Sequence, residues 1–161
     1  MTQELSVIMG GSIGAIGSGI MAGVYFAFSG FVMRSLGALP HAEGIAAMQS
    51  INRVILSSSF MPFFFGTTIL SLGLGAWSVL RWGEPGSLLM LSAALLYVLG
   101  MFVCTAAGNV PLNDALDAVD PDGADAARLW SRYLRDWTRY NHVRTLACVA
   151  ACIAFIAAMV R

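Results

Sequence analysis

Four stretches of this chain carry no charged side chain. Residues 5–33 are uncharged over 29 positions, 54–80 over 27 and 86–113 over 28. Residues 145–160 add 16 more, and that run extends back through Arg144 to Asn141. A spanning helix needs about 20 apolar residues at about 1.5 Å of rise each, so all four qualify. In hydrocarbon the backbone must satisfy its own hydrogen bonds, which makes these segments helices. Period-two alternation is missing, which excludes a membrane barrel. The sequence therefore predicts an all-α integral membrane four-helix bundle, a single membrane domain over residues 1–161. Its spans fall at about 5–33, 54–80, 86–109 and 141–160.

Composition supports the same class. The chain is 58% hydrophobic and only 11% charged, where soluble domains carry about 25% charged residues. The formal net charge is zero, so nothing attracts nucleic acid. The lipid bilayer is the expected partner. Cys104, Cys148 and Cys152 are odd in number and lie in apolar runs, so they form no disulfide framework.

The connections are informative. Arg81 to Gly86 is a tight turn between the second and third spans, with Pro62 expected to kink the second. Residues 113–125 hold five Asp and the turn Pro121-Asp122-Gly123. From about 124 to 140 the pattern becomes that of an amphipathic interfacial helix leading into the fourth span. Trp130, Tyr133, Trp137, Tyr140, Asn141 and Arg144 recur at three- and four-residue spacing, and Arg128, Arg132, Arg135 and Arg139 cover the other side. Seven Arg fall on the side of the two polar loops and two on the other. The positive-inside rule then puts the termini outside and the polar loops in the cytoplasm, in what we expect to be a bacterial inner membrane. The first span carries small residues at a spacing of four: Gly11, Ala15, Gly19 and Gly23, flanked by Gly10, Gly14, Ser18 and Ala22. Such a ladder lets another backbone approach closely, either within the chain or in a homo-oligomer formed through helix one.

Polar groups converge on the arginine-rich membrane face. Asn52, Asn109, Asn113, Trp137, Asn141, His142 and Arg144 all lie at span ends there, where polar residues tend to face a cavity. His41 reads as a solvated loop residue. His41 and His142 are the only histidines, so any metal would use them; no close ligand pair supports a metal or haem.

Several stretches resemble the anthrone oxygenase-like family of small four-helix membrane proteins. They are Gly19-Ile-Met-Ala-Gly-Val-Tyr-Phe-Ala-Phe-Ser29, Gly44-Ile-Ala-Ala-Met-Gln-Ser-Ile-Asn52, Asn109-Val-Pro-Leu-Asn113 and Trp137-Thr-Arg-Tyr-Asn-His-Val-Arg144. The resemblance implies oxidation of an anthrone- or quinol-like lipophilic substrate by O₂, with no cofactor required. An anthrone's central CH₂ is acidic, so the protein need supply a base, donors for an oxyanion and a dry, flat pocket. On that basis His142 is expected as the base and Arg144, Asn109 and Asn113 as donors. Trp137 and Tyr25 would form stacking walls, and Asn141 and Asn52 would complete the substrate site. The competing class is a non-enzymatic membrane module, either a small-solute transporter subunit or a helix-packing partner. Against transport, no span has a charge at mid-membrane or a repeated helix break.

Overall fold

The computed structural model describes residues 2–161, with side chains described at Leu5 and from Val7 onward. It contains five helices and, among the described residues, no strand. Helix α1 covers residues 2–37, α2 His41–Ile55, α3 Phe60–Leu80, α4 Ser87–Asp117 and α5 Ala126–Met159. All but α2 are long and apolar enough to cross a bilayer.

Helix boundaries follow local chemistry. Pro40 stands in extended conformation before His41, separating α1 from α2. Three serines divide α2 from α3. The Ser57 and Ser58 hydroxyls donate to the carbonyls of Val54 and Ile55, and Ser58 Oγ accepts the Phe60 amide at 3.2 Å. The span expected from residue 54 therefore starts at Phe60. Pro62 falls in the first turn of α3, where its missing N–H has no helical partner to lose, so the expected kink has no cause there. Gly83 and Gly86 turn α3 into α4 at positive φ (92° and 79°). Gly86 also packs so tightly that a Cβ would come within 2.6 Å of the Ala158 carbonyl oxygen.

Two of the long helices widen locally. In α1, residues Phe28–Val32 form a π-helical turn, and in α4 so do Val98–Val103 and Thr105–Asn109. The second α4 segment lies just before Pro111, which has no N–H to close a regular turn.

At about 1.5 Å per residue, α5 is about 50 Å long, against about 30 Å for a bilayer's hydrocarbon core. The interfacial helix expected at 124–140 is thus continuous with the fourth span and projects beyond it. Two cores result. Within the spans, Met21, Tyr25, Tyr97, Cys148 and Phe155 meet where α1, α4 and α5 pack together. Beyond them, α2 folds over the projecting part of α5, and Ile45, Met48, Leu116, Trp130 and Tyr133 form a second core. Gly44 permits this crossing: a Cβ there would lie 2.8 Å from the Leu36 carbonyl oxygen and 2.9 Å from the Trp130 ring. Gln49 ties α2 to the end of α4, donating to the carbonyls of Leu116 (2.9 Å) and Val119 (3.0 Å). Large apolar side chains such as Ile16, Leu72, Leu88, Leu146 and Ile153 face outward along the spans, as a lipid environment requires.

The small-residue ladder of α1 divides between two faces. Gly11, Gly14, Ala15, Ser18 and Ala22 are buried, whereas Gly19 and Gly23 are exposed. The tightest approach comes at Gly17, which lies outside the expected ladder and where a Cβ would overlap Thr67 of α3. Gly23 has open space around it. Gly17→Ala should therefore destabilise the bundle by about 1–3 kcal/mol, because the buried Thr67 cannot retreat. Gly23→Ala should leave stability unchanged or slightly raised. Thermal unfolding in detergent distinguishes the two; equal melting temperatures would show that α1 and α3 are not in this register.

Candidate active site

The buried stripe of α5 repeats every three or four residues: Trp130, Tyr133, Trp137, Asn141, Arg144, Cys148. Its aromatic members form a stack. Trp130 and Tyr133 lie 5.6 Å apart at 14°, and Tyr133 and Trp137 lie 6.1 Å apart at 24°. Asn113 of α4 fixes this stack, since its Oδ1 accepts both the Tyr133 hydroxyl (2.8 Å) and the Trp137 indole N–H (2.9 Å). One turn earlier, Asn109 donates to the Trp137 carbonyl at 3.2 Å, and its Oδ1 is buried without a partner.

Arg144 ends the polar part of the stripe and is only 4% exposed. One guanidinium nitrogen donates to Asn141 Oδ1 at 2.6 Å and another to Thr105 Oγ1 at 3.3 Å. Nε is buried without a partner. The guanidinium carbon stands 4.2 Å from the Tyr25 ring centroid and 5.1 Å from that of Trp137. Among the described residues no carboxylate pairs with it. Neutral acceptors and aromatic faces thus compensate the charge only in part, and its desolvation penalty stays substantial.

Asn141 is fully buried and acts as the hub. Its Oδ1 holds Arg144, while its Nδ2 donates to the Tyr25 carbonyl at 2.6 Å and to Ser29 Oγ at 2.5 Å. It therefore couples the cation to the widened turn of α1.

A cavity of about 280 Å³ opens beside Arg144, lined by residues from all five helices. Arg144, Thr105, Asn113 and Asn52 provide its polar groups, and the Asn52 amide nitrogen is buried without a hydrogen-bond partner. Its walls are mainly apolar and aromatic: Tyr25 and Phe28 from α1, Phe60 and Phe64 from α3, Phe102 from α4 and Trp137 from α5. Phe28 lies 5.6 Å from Trp137, and Phe64 lies 5.5 Å from Phe102.

The expected site residues are distributed as follows. Tyr25, Asn52, Asn113, Trp137 and Arg144 line the cavity. Asn109 and Asn141 are buried beside it and hold Trp137 and Arg144. His142 does neither. It is exposed, because one residue past Asn141 turns about 100° around the helix and leaves the buried face. The general base expected there has no place in the cavity. His41 is likewise exposed, at the start of α2. Among the described residues no three His, Cys, Asp or Glu are grouped to hold a metal. The sequence reading missed Thr105, the phenylalanine walls and the whole of α2. Ile45, Met48, Asn52 and Ile55 recur at helical spacing and could have revealed α2.

A model of the anthrone oxygenase family matches residues 53–154, well over half of the chain. The chain belongs to the anthrone oxygenase family. The matched region contains Thr105, Asn109, Asn113, Trp137, Asn141 and Arg144, and stops short of Tyr25 and Asn52. No curated protein and no solved structure matches the chain.

The role of Asn113 can be measured directly. Asn113→Leu strips the Tyr133 hydroxyl and the Trp137 indole of their shared acceptor. A buried donor left unpaired costs about 1–3 kcal/mol, so the melting temperature should fall by several degrees. Tryptophan emission should also shift to longer wavelength as Trp137 loosens. An unchanged spectrum and melting point would mean that Asn113 does not position the stack.

Proposed function

We propose that this protein is a membrane-embedded oxygenase that oxidises a flat, lipophilic, anthrone- or quinol-like aromatic with O₂. One observation carries this reading. An arginine with no carboxylate partner among the described residues stands at the polar end of an otherwise apolar, aromatic-walled cavity. Such a cation favours an anion, and in this setting the anion is the substrate's own oxyanion.

An anthrone is in equilibrium with its enol, and loss of one proton gives an electron-rich enolate. Arg144, with the amides of Asn52 and Asn113 nearby, stabilises the negative oxygen and makes ionisation easier. Among the described residues no histidine or carboxylate lines the cavity, and in this proposal the proton leaves to water at the cavity mouth. The enolate carbon then adds to O₂ and picks up a proton to give a hydroperoxide, which loses water to form the new carbonyl. Overall, anthrone and O₂ become anthraquinone and H₂O: the carbon is oxidised and the O–O bond is reduced. The aromatic walls hold the rings flat and exclude bulk water. We further infer, from the uneven distribution of arginines, that the cavity end of the bundle faces the cytoplasm.

Turnover in lipid nanodiscs, followed by quinone absorbance and O₂ uptake, tests this assignment. Arg144→Gln should lower kcat/KM by about 10²–10³, the usual cost of removing a donor to a developing oxyanion. Arg144→Lys should recover part of this loss, since the charge remains but the planar fork is gone. His142→Ala should keep turnover within about twofold, against the loss of about 10²–10⁴ expected for a true general base. A His142→Ala variant that folds but is inactive would overturn the proposed role of Arg144 as the principal catalytic group.

A further inference from the structure

About a quarter-turn around α5 from Arg144 lies a second, open depression of about 450 Å³ between α4 and α5. It spans the level at which α5 passes from arginine-rich to uncharged sequence. Its apolar surface comes from Ala107, Pro111 and Leu112 of α4 and Val143 of α5. Gly108 sets the depth, because a Cβ there would lie 2.7–3.0 Å from three Tyr140 ring carbons. The ring therefore rests directly on the α4 backbone.

Arg132, Asp136 and Arg139 form the charged end. Asp136 is shared unevenly. Arg135 holds it with two contacts, 2.8 and 3.2 Å, while Arg132 and Arg139 stand 3.6 and 3.8 Å away. One carboxylate thus serves three guanidinium groups. Arg132 and Arg139 retain positive charge, are 72% and 74% exposed, and make no hydrogen bond to another acceptor among the described residues.

We propose that this groove binds an anionic phospholipid, with the phosphate between Arg132 and Arg139 and an acyl chain along Pro111, Leu112 and Val143. Charge complementarity selects an anion. The apolar floor, continuous with the lipid-facing surface, selects one that carries a tail. The lipid would bridge α4 and α5 beside the contact of Asn109 with Trp137, and so brace the wide turn of α4. This proposal does not depend on the oxygenase reading and can fail without affecting it.

The test uses the full chain in detergent, titrated separately with dioleoyl phosphatidylglycerol, dioleoyl phosphatidylcholine and inorganic phosphate. Native mass spectrometry counts retained lipid, and thermal unfolding reports stabilisation. One phosphatidylglycerol should be retained with a rise in melting temperature, and the other two probes should do neither. Arg132→Gln/Arg139→Gln should weaken retention by about ten- to thirtyfold, since each interfacial arginine contributes roughly fivefold toward an anionic lipid. Arg34→Gln/Arg128→Gln removes the same charge from exposed positions outside the groove and should have little effect. Val143→Trp, which fills the groove without changing charge, should also lose the lipid. Equal losses in the two arginine pairs, retention by Val143→Trp, equal retention of phosphatidylcholine, or equal stabilisation by phosphate alone would each overturn the proposal.

Discussion

The contact between Asn141 and Arg144 ties together three helices, α1, α4 and α5. An arginine inside a membrane bundle is costly, and it persists only where its donors are met. Here Asn141 and Thr105 meet two of them, and Tyr25 and Trp137 lie beneath the charge. Those partners come from α1, α4 and α5. Since Asn141 also grips the Tyr25 carbonyl and Ser29, the cation's position and the course of α1 are set together. Moving the charge would disturb three helices.

The widened turns belong to the same arrangement. A π-helical turn inserts a residue and rotates the side chains that follow, and such turns gather at functional sites. In α1 the widening starts at Phe28, one turn after Tyr25, and both side chains line the cavity. In α4 the widened stretch contains Phe102 and Thr105, which also line it, and it ends at Asn109. The cavity therefore lies where two helices depart from regular geometry, at the junction of the membrane core and the outer core. Regular helices would have carried either the aromatic wall or the polar partner of Arg144 away from that junction.

What the sequence made legible divides along physical lines. The four spans were readable because a run of about 20 uncharged residues has few other solutions. The α5 stripe was readable because helical spacing fixes which side chains share a face, and its polar members Asn141 and Arg144 are indeed buried. Three things were not. Helix rotation puts His142 about 100° from Asn141, where it is expected to line the neighbouring side of the same cavity, yet that side of α5 is exposed. The glycines of α1 showed that close packing occurs but not on which face, and Gly17, not Gly19, makes the tight contact with α3. Helix α2 is short and lies between a proline and three serines, so its apolar face gained meaning only once the projecting end of α5 was present to receive it.

The electrostatics and the apolar walls are best understood as one device. A hydrophobic side chain of similar length at position 144 would avoid the desolvation penalty, and exchanges of buried ions for apolar groups often stabilise proteins. The arginine is thus hard to explain as a stabiliser of the fold. Under the proposed function, its value lies in what enters the cavity: a neutral aromatic gains only apolar contact, whereas the same molecule as an oxyanion also gains the field of a cation that water barely screens. The phenylalanine walls strengthen that preference, since they exclude the solvent that would otherwise weaken it. A cavity of this kind needs no histidine to favour the ionised substrate. Under the proposed function the protein stabilises the anion and water carries the proton away.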